Sequence, residues 1–255
     1  MLEDNIRKQL ETKRFLLMPH LVLGYPSYEE NRKAVKTMIE AGAEIIELQI
    51  AFSEPMADGP VILRANDEAL KRGATVAKSM AFAKEMASAF PETMFLFMSY
   101  YNILFAQGVA NFVDKAKEAG IQGLIVPDLP PEEGADYLAA CKKTGLAPIF
   151  ISTPTNTEER LKYVAQYAGG MAYCVGRKGV TGIKTKMDDA LLDLIERYRK
   201  ATKLPIALGF GIQGKEDVDA IADHVDIVVI GTKLVQLHDA EGVEGVGKFL
   251  KDLRS

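Results

Sequence analysis

Short runs of Ile, Val, Leu, Phe and Met recur from end to end of this chain, and most of them lack polar alternation. They fall near residues 18–23, 44–50, 93–98, 122–126, 147–151, 171–175, 205–209 and 226–230. A strand with one face in water alternates apolar and polar side chains, whereas a parallel strand covered on both faces reads as a continuous apolar run. Helices must therefore cover these strands, and between the runs the period does change. Ala34, Val35, Met38 and Ile39, then Val109, Phe112, Val113 and Ala116, then Leu191, Leu192 and Ile195 fall at helical spacings. Gly42, Gly120 and Gly145 follow three of the helical segments just before the next run, where glycine supplies the left-handed residue that ends a helix.

A chain of 255 residues leaves room for one large domain or two small ones. Eight βα units with no Pro/Ser-rich linker and no shift in composition favour a single (β/α)8 TIM barrel over residues 1–255 rather than an open doubly wound sheet. The longest interval lies between the second and third strands. It holds two helical stretches, VILRANDEALKRG and AKSMAFAKEMASAF, and so predicts an extra helix there. The N-terminal segment predicts one more, capping the bottom of the barrel.

Charge narrows the partners. Lys and Arg number 31 against 35 Asp and Glu, a net charge of -4, which leaves no basic footprint for nucleic acid or anionic lipid. No apolar run approaches the ~18 residues of a membrane span, and the opening MLEDNIRKQLETKR mixes acids and bases, unlike a secretory leader. With only Cys141 and Cys174, a framework of several disulfides is excluded, and a reducing cytoplasm is expected. His20, His224 and His238 share no i, i+3 or i, i+4 spacing, so no metal site is expected.

In such a barrel, ligands sit at the C-terminal ends of the strands. The second run leads into ELQIAFSEPMADGP, an irregular loop carrying Glu47, Glu54 and Asp58 among apolar and small residues. A carboxylate leaving a buried strand is suited to general acid/base work because desolvation raises its pKa. The plainer alternative makes Glu47 a solvated strand-end acid and Asp58 a turn residue before Gly59 and Pro60. LGFGIQ and IGT follow the seventh and eighth runs. There Gly209, Gly211, Gly231 and Thr232 leave backbone N–H groups free to meet a phosphate, helped by a helix N-terminus, although glycines also serve simple turns. After the sixth run, Tyr173 precedes a loop bearing Gly176, Gly179 and Gly182, which reads either as a mobile lid or as an ordinary surface loop with Tyr173 in the core.

Five strings together carry a resemblance: GYP at 24–26, ELQIAFSEPMADGP at 47–60, GVTG at 179–182, GFGI at 209–212 and the Gly-Thr pair at 231–232. In order and over the whole chain, they resemble the tryptophan synthase α-subunit family. The resemblance implies retro-aldol cleavage of indole-3-glycerol phosphate to indole and glyceraldehyde 3-phosphate. Glu47 would transfer protons, Asp58 would face the indole nitrogen, and Tyr173 would line the site beside Glu47. Gly182, Gly211, Gly231 and Thr232 would hold the phosphate, and His20, Met98, Tyr100 and Ile151 would line the indole pocket. Two mobile loops are implied, one with Ala51, Phe52, Ser53 and Glu54 and the other with Arg177, Gly179 and Thr181. Ala51, Glu54, Asn102 and Pro130 would face a β subunit in an α2β2 assembly. No cofactor is implied on this chain, pyridoxal phosphate being expected only on the β subunit.

The departures from the family pattern cluster. Gln49 and Ala51 stand where Gly and Pro are usual, Glu54 replaces Asp, and His20 replaces an aromatic residue of the indole pocket. They are expected to act on loop closure, pocket shape and communication with the β subunit, leaving the intrinsic reaction in place. Three alternatives remain open on the sequence: a stand-alone indole-3-glycerol phosphate lyase, a barrel that only regulates a β subunit, and a lysine-dependent aldolase of the same fold. Retention of Glu47, Asp58 and Tyr173 argues against the second, and no strand-end Lys is suited to a Schiff base for the third.

Overall fold

A computed structural model describes residues 1–176, 189–209 and 211–254. Along the chain α1 (Leu2–Leu10), β1 (Leu16–Val22), α2 (Tyr28–Glu40), β2 (Ile45–Gln49), α3 (Pro60–Lys71), α4 (Val76–Ala89) and β3 (Met94–Met98) come first. There follow α5 (Tyr101–Gln107), α6 (Val109–Glu118), β4 (Gly123–Ile125), α7 (Ala135–Thr144), β5 (Ala147–Ile149), β6 (Ile151–Ser152) and α8 (Glu158–Tyr167). The chain ends with β7 (Ala172–Val175), α9 (Asp189–Ala201), β8 (Ile206–Gly209), α10 (Lys215–Ile221), β9 (Ile227–Ile230) and α11 (Thr232–Asp252). All strand pairings are parallel, in the order β5-β4-β3-β2-β1-β9-β8-β7-β6.

The two ends of that order are one strand. Only Phe150 separates β5 from β6; β5 pairs with β4 and β6 with β7, so the run near 147–151 changes neighbour at its middle and the sheet forms a nearly closed barrel. Both extra helices expected from the sequence are present: α4 beside α3 between β2 and β3, and α1 ahead of β1. The short α5 directly after β3 has no counterpart in the sequence reading. Gly42, Gly120 and Gly145 have positive φ values of 96°, 82° and 72°, the conformation expected of helix-ending glycines.

Two apolar layers explain why the strands read as continuous runs. Leu16, Met18, Ile45, Met94, Leu96, Ile125, Ile149, Met171, Ala207, Ile227 and Val229 fill the barrel interior. Their chain neighbours Leu17, Ile46, Leu48, Phe95, Phe97, Leu124, Leu208 and Val228 pack outward under the helices. Leu2 and Ile6 of α1 join the inner layer and close its N-terminal end. A Cβ on Gly123 would lie 3.0 Å from Leu2 and 2.9 Å from Ile149, so the missing side chain is what admits the plug. With that end filled, the C-terminal ends of the strands are where the barrel interior can meet a ligand.

Candidate active site

Strand periodicity places the polar groups. On β1 the inward set Leu16 and Met18 continues to His20; on β2, Ile45 continues to Glu47 and Gln49; past β3, Met94, Leu96 and Met98 continue to Tyr100. Register sets them side by side, His20 opposite Glu47, Gln49 opposite Met98 and Ile151 opposite Tyr173. An inner apolar layer is thus capped at the C-terminal end of the barrel by polar side chains.

Glu47 is 3% exposed and is held on both oxygens. Nδ1 of His20 lies 2.9 Å from its Oε1, and the Tyr173 hydroxyl donates to its Oε2 at 3.5 Å. Burial opposes charge on the His20 ring, but the adjoining Glu47 carboxylate and the charge of Asp58 outweigh it and raise the pKa above the usual histidine value. Burial and then the same two carboxylates hold the Tyr173 phenol far above its usual pKa, so it stays a donor. Gly209 gives the ring room, since a Cβ there would sit 3.5 Å from Tyr173 Cε1.

Asp58 reaches the same region from the loop after β2. A turn from Pro55 to Asp58, closed by a 2.9 Å backbone bond, directs it inward, and Pro60 begins α3 just beyond. Its Oδ2 accepts from Gln49 Nε2 at 2.7 Å and from the Tyr100 hydroxyl at 2.9 Å. Tyr100 also accepts from the Ala57 N–H at 3.2 Å and stacks on Phe52, with ring centroids 5.2 Å apart. Desolvation raises the Asp58 pKa, while the His20 charge and the donors Gln49 and Tyr100 pull the other way and leave a net rise.

Two anchoring residues went unassigned in the sequence reading. Gln49, a departure expected to bear on the loop, also donates from its side chain to Asp58 inside the candidate site. Asn66, fully buried on α3, accepts from the Phe52 N–H at 3.0 Å and donates to the Ile62 carbonyl, tying the loop to the helix. A polar residue on the buried face of α3 was the signal that could have found it.

On the other flank of β1, Gly231 follows β9 and precedes α11, and a Cβ on it would sit 3.6 Å from His20 Cβ and 3.8 Å from its ring. Thr232 Oγ1 is buried without a hydrogen-bond partner among the described residues, and Gly211 has φ +82°. A buried hydroxyl and an open glycine backbone both suit a polar ligand at that end. Met98 is buried and Ile151 partly exposed at the barrel mouth. Arg177, Gly179, Thr181 and Gly182, expected in the second loop and the phosphate site, lie outside the described residues.

The residues expected to face a partner separate. Glu54 and Asn102 are exposed and Pro130 is partly exposed, but Ala51 is 8% exposed and packs with Val22, Ile62 and Ala65. A small apolar side chain at that point is drawn under the loop rather than out of it. Among the described residues, no cluster of His, Cys, Asp and Glu is placed to hold a metal, and no helix is long and apolar enough to cross a membrane.

Comparison with known proteins bears on the family and the fold. The family model described as tryptophan synthase alpha chain matches residues 6–248. The tryptophan synthase alpha chain of Syntrophotalea carbinolica is 49% identical over 254 residues, covering 100% of both chains. Among solved structures, a chain of Mycobacterium tuberculosis tryptophan synthase superimposes with a TM-score of 0.92 at 30% identity, covering 99% of this chain and 96% of that one. A chain from the tryptophan synthase complex of Pyrococcus furiosus gives a TM-score of 0.86 at 28% identity, covering 94% and 97%.

Proposed function

The chain belongs to the tryptophan synthase alpha chain family, and we propose that Glu47 and Asp58 divide between them the chemistry by which it cleaves indole-3-glycerol phosphate. Direct rupture of the carbon–carbon bond would leave a carbanion on the indole ring. Protonation at C3 avoids this by making an indoleninium whose C=N bond accepts the electron pair. Glu47 delivers the C3 proton and takes the proton of the glycerol hydroxyl as the aldehyde forms, so the enzyme ends with the proton count it began with. Asp58 stands for the anion beside the ring nitrogen, where positive charge develops.

One observation carries this division: both carboxylates are brought to the mouth of the barrel, each with its own neutral or cationic donors, His20 and Tyr173 for Glu47, Gln49 and Tyr100 for Asp58. Two carboxylates held in different polar surroundings suit two different roles. Met98, Tyr100, Ile151 and the His20 ring form the side of the mouth assigned to the indole. Gly211, Gly231 and Thr232 take the phosphate. Gly211→Leu is expected to raise KM strongly, because a branched side chain is strained at φ +82° and crowds the anion's approach. Equally efficient cleavage of the dephosphorylated substrate would remove the phosphate assignment.

Indole released here passes to a β subunit, and an assembly of two α and two β chains in the cytoplasm is the arrangement proposed. Indole is small, apolar and membrane-permeable, which gives direct transfer a physical advantage over release. Pyridoxal phosphate belongs to the β subunit in this reading, since the α reaction finds its electron sink in the substrate's own ring. The deciding experiment is the cleavage rate with and without β subunit, together with the mass of the complex by light scattering. Activation by β and a four-chain mass are expected. Full activity alone with no complex formed would favour the stand-alone lyase.

A further inference from the structure

Two side chains that exchange no proton with the substrate each hold one of the two carboxylates. His20 Nδ1 meets Glu47 Oε1 at 2.9 Å, and Gln49 Nε2 donates to Asp58 Oδ2 at 2.7 Å. His20 is 6% exposed and Gln49 fully buried, on adjacent strands at the inner face. The remaining polar atoms of the two, His20 Nε2 and Gln49 Oε1, are buried and make no well-formed hydrogen bond among the described residues, although the Gln49 side chain lies close enough to favour the charged His20 ring. A buried imidazole and a buried amide are poor choices for packing alone, since a buried polar atom without a well-formed hydrogen bond is destabilising. Apolar residues of similar volume would have filled the same space.

We propose that His20 and Gln49 are positioning residues forming a bracket between the two carboxylates, His20 fixing Glu47 through Oε1 and Gln49 fixing Asp58 through Oδ2. The proposal rests on the roles given above to Glu47 and Asp58 and adds what holds them. With Oε1 engaged at 2.9 Å, Oε2, which has only the longer 3.5 Å bond from Tyr173, is the oxygen better placed to exchange protons. The amide orientation of Gln49 follows from Asp58, because turning Oε1 toward the carboxylate would set two acceptors against each other.

The bracket also governs the charge on Asp58. The groups facing the His20 ring are Glu47 from β2 and Asp58 from the following loop, with Gln49 beside them; Tyr173 from β7 reaches the same Glu47, Tyr100 reaches the same Asp58, and Gly231 adds no charge. Burial favours the neutral form of Asp58, whereas the His20 charge and the Gln49 donor favour the carboxylate. Asp58 must be ionised to face a cation, so activity falls as pH drops through its pKa. Removing either arm of the bracket raises that pKa and moves the acid limb of kcat/KM to higher pH.

The test uses the full chain, with and without β subunit, and the variants His20→Phe, His20→Asn, Gln49→Met and Glu47→Gln, each checked for native circular dichroism. His20→Phe fills the space without a donor and is expected to lose about 10- to 100-fold in kcat with KM within a few-fold, and to raise the acid limb. His20→Asn restores a neutral donor to Glu47 without the charge, so it should recover part of kcat while the acid limb stays raised. Gln49→Met should raise the acid limb as well. Wild-type kcat and an unmoved acid limb in both His20→Phe and Gln49→Met would overturn the bracket, as would losses confined to KM, which mark pocket lining. Glu47→Gln separates the two levels. If it is inactive while the bracket variants match wild type, the bracket alone falls; if it turns over normally, the role of Glu47 falls and takes the bracket with it.

Discussion

Glu47→Gln is expected to bind a substrate analogue within a few-fold of wild type and to lose turnover by about 10²- to 10⁴-fold. The amide matches the carboxylate in size, and its oxygen can still accept from His20 Nδ1, so packing at the inner end of β2 survives. What it lacks is the ability to give and take a proton within the working pH range. Binding is carried elsewhere, by the indole side of the mouth and the backbone around Gly231, so KM and kcat should part company. Single-turnover cleavage measured beside analogue binding makes the comparison. A variant retaining more than about a tenth of the wild-type rate would defeat the proton-transfer role.

Asp58→Asn is expected to bring a comparable loss for a different reason. An asparagine oxygen can accept from Gln49 and Tyr100 as the carboxylate does, so the loop from Pro55 should stay in place. The amide supplies no charge to the indoleninium, and a positive charge developing in a desolvated site is where a fixed anion contributes most. Because burial raises the Asp58 pKa, the wild type should lose activity on the acid side at a pH above the ordinary aspartate value. If that limb belongs to Asp58, the Asn variant should lack it. Full activity in the variant would remove the electrostatic assignment.

The family resemblance bears on this pair because the ADGP segment following Glu47 leaves both carboxylates in place. Departures at 20 and 49, expected to act on pocket shape and loop closure, turn out to touch the carboxylates themselves. Departures at 51 and 54 divide, Ala51 packing under the loop and Glu54 remaining exposed where a partner can reach it.

Much of the fold was legible without coordinates, because burial on both faces and helical coverage leave a periodic record along the chain. Apolar runs without alternation meant parallel strands, glycines marked helix ends, and the long interval between the second and third runs held α3 and α4. Glu47 and Tyr173 were legible as candidate-site residues because both lie at or near the ends of such runs, where this architecture opens to ligand. The hydrogen bonds of Gln49 and Asn66 were not. Asp58 returns over β2 only because the loop turns at Pro55 and meets Tyr100 just past β3, and no spacing encodes that path.

The chain's own periodicity determined which residues form strands, which face of each is apolar and where the carboxylates leave the core, since these depend on contacts every two or three to four residues. Tertiary structure alone decided that β5 and β6 share one barrel position on either side of Phe150, that Leu2 plugs the space left by Gly123, and that His20 and Gln49 each take one carboxylate. Those outcomes depend on register between strands and on the path of a loop. Register and path are settled by the packing of the whole barrel, where a displacement of one residue would turn His20, Glu47 and Gln49 out of the mouth and into the helices.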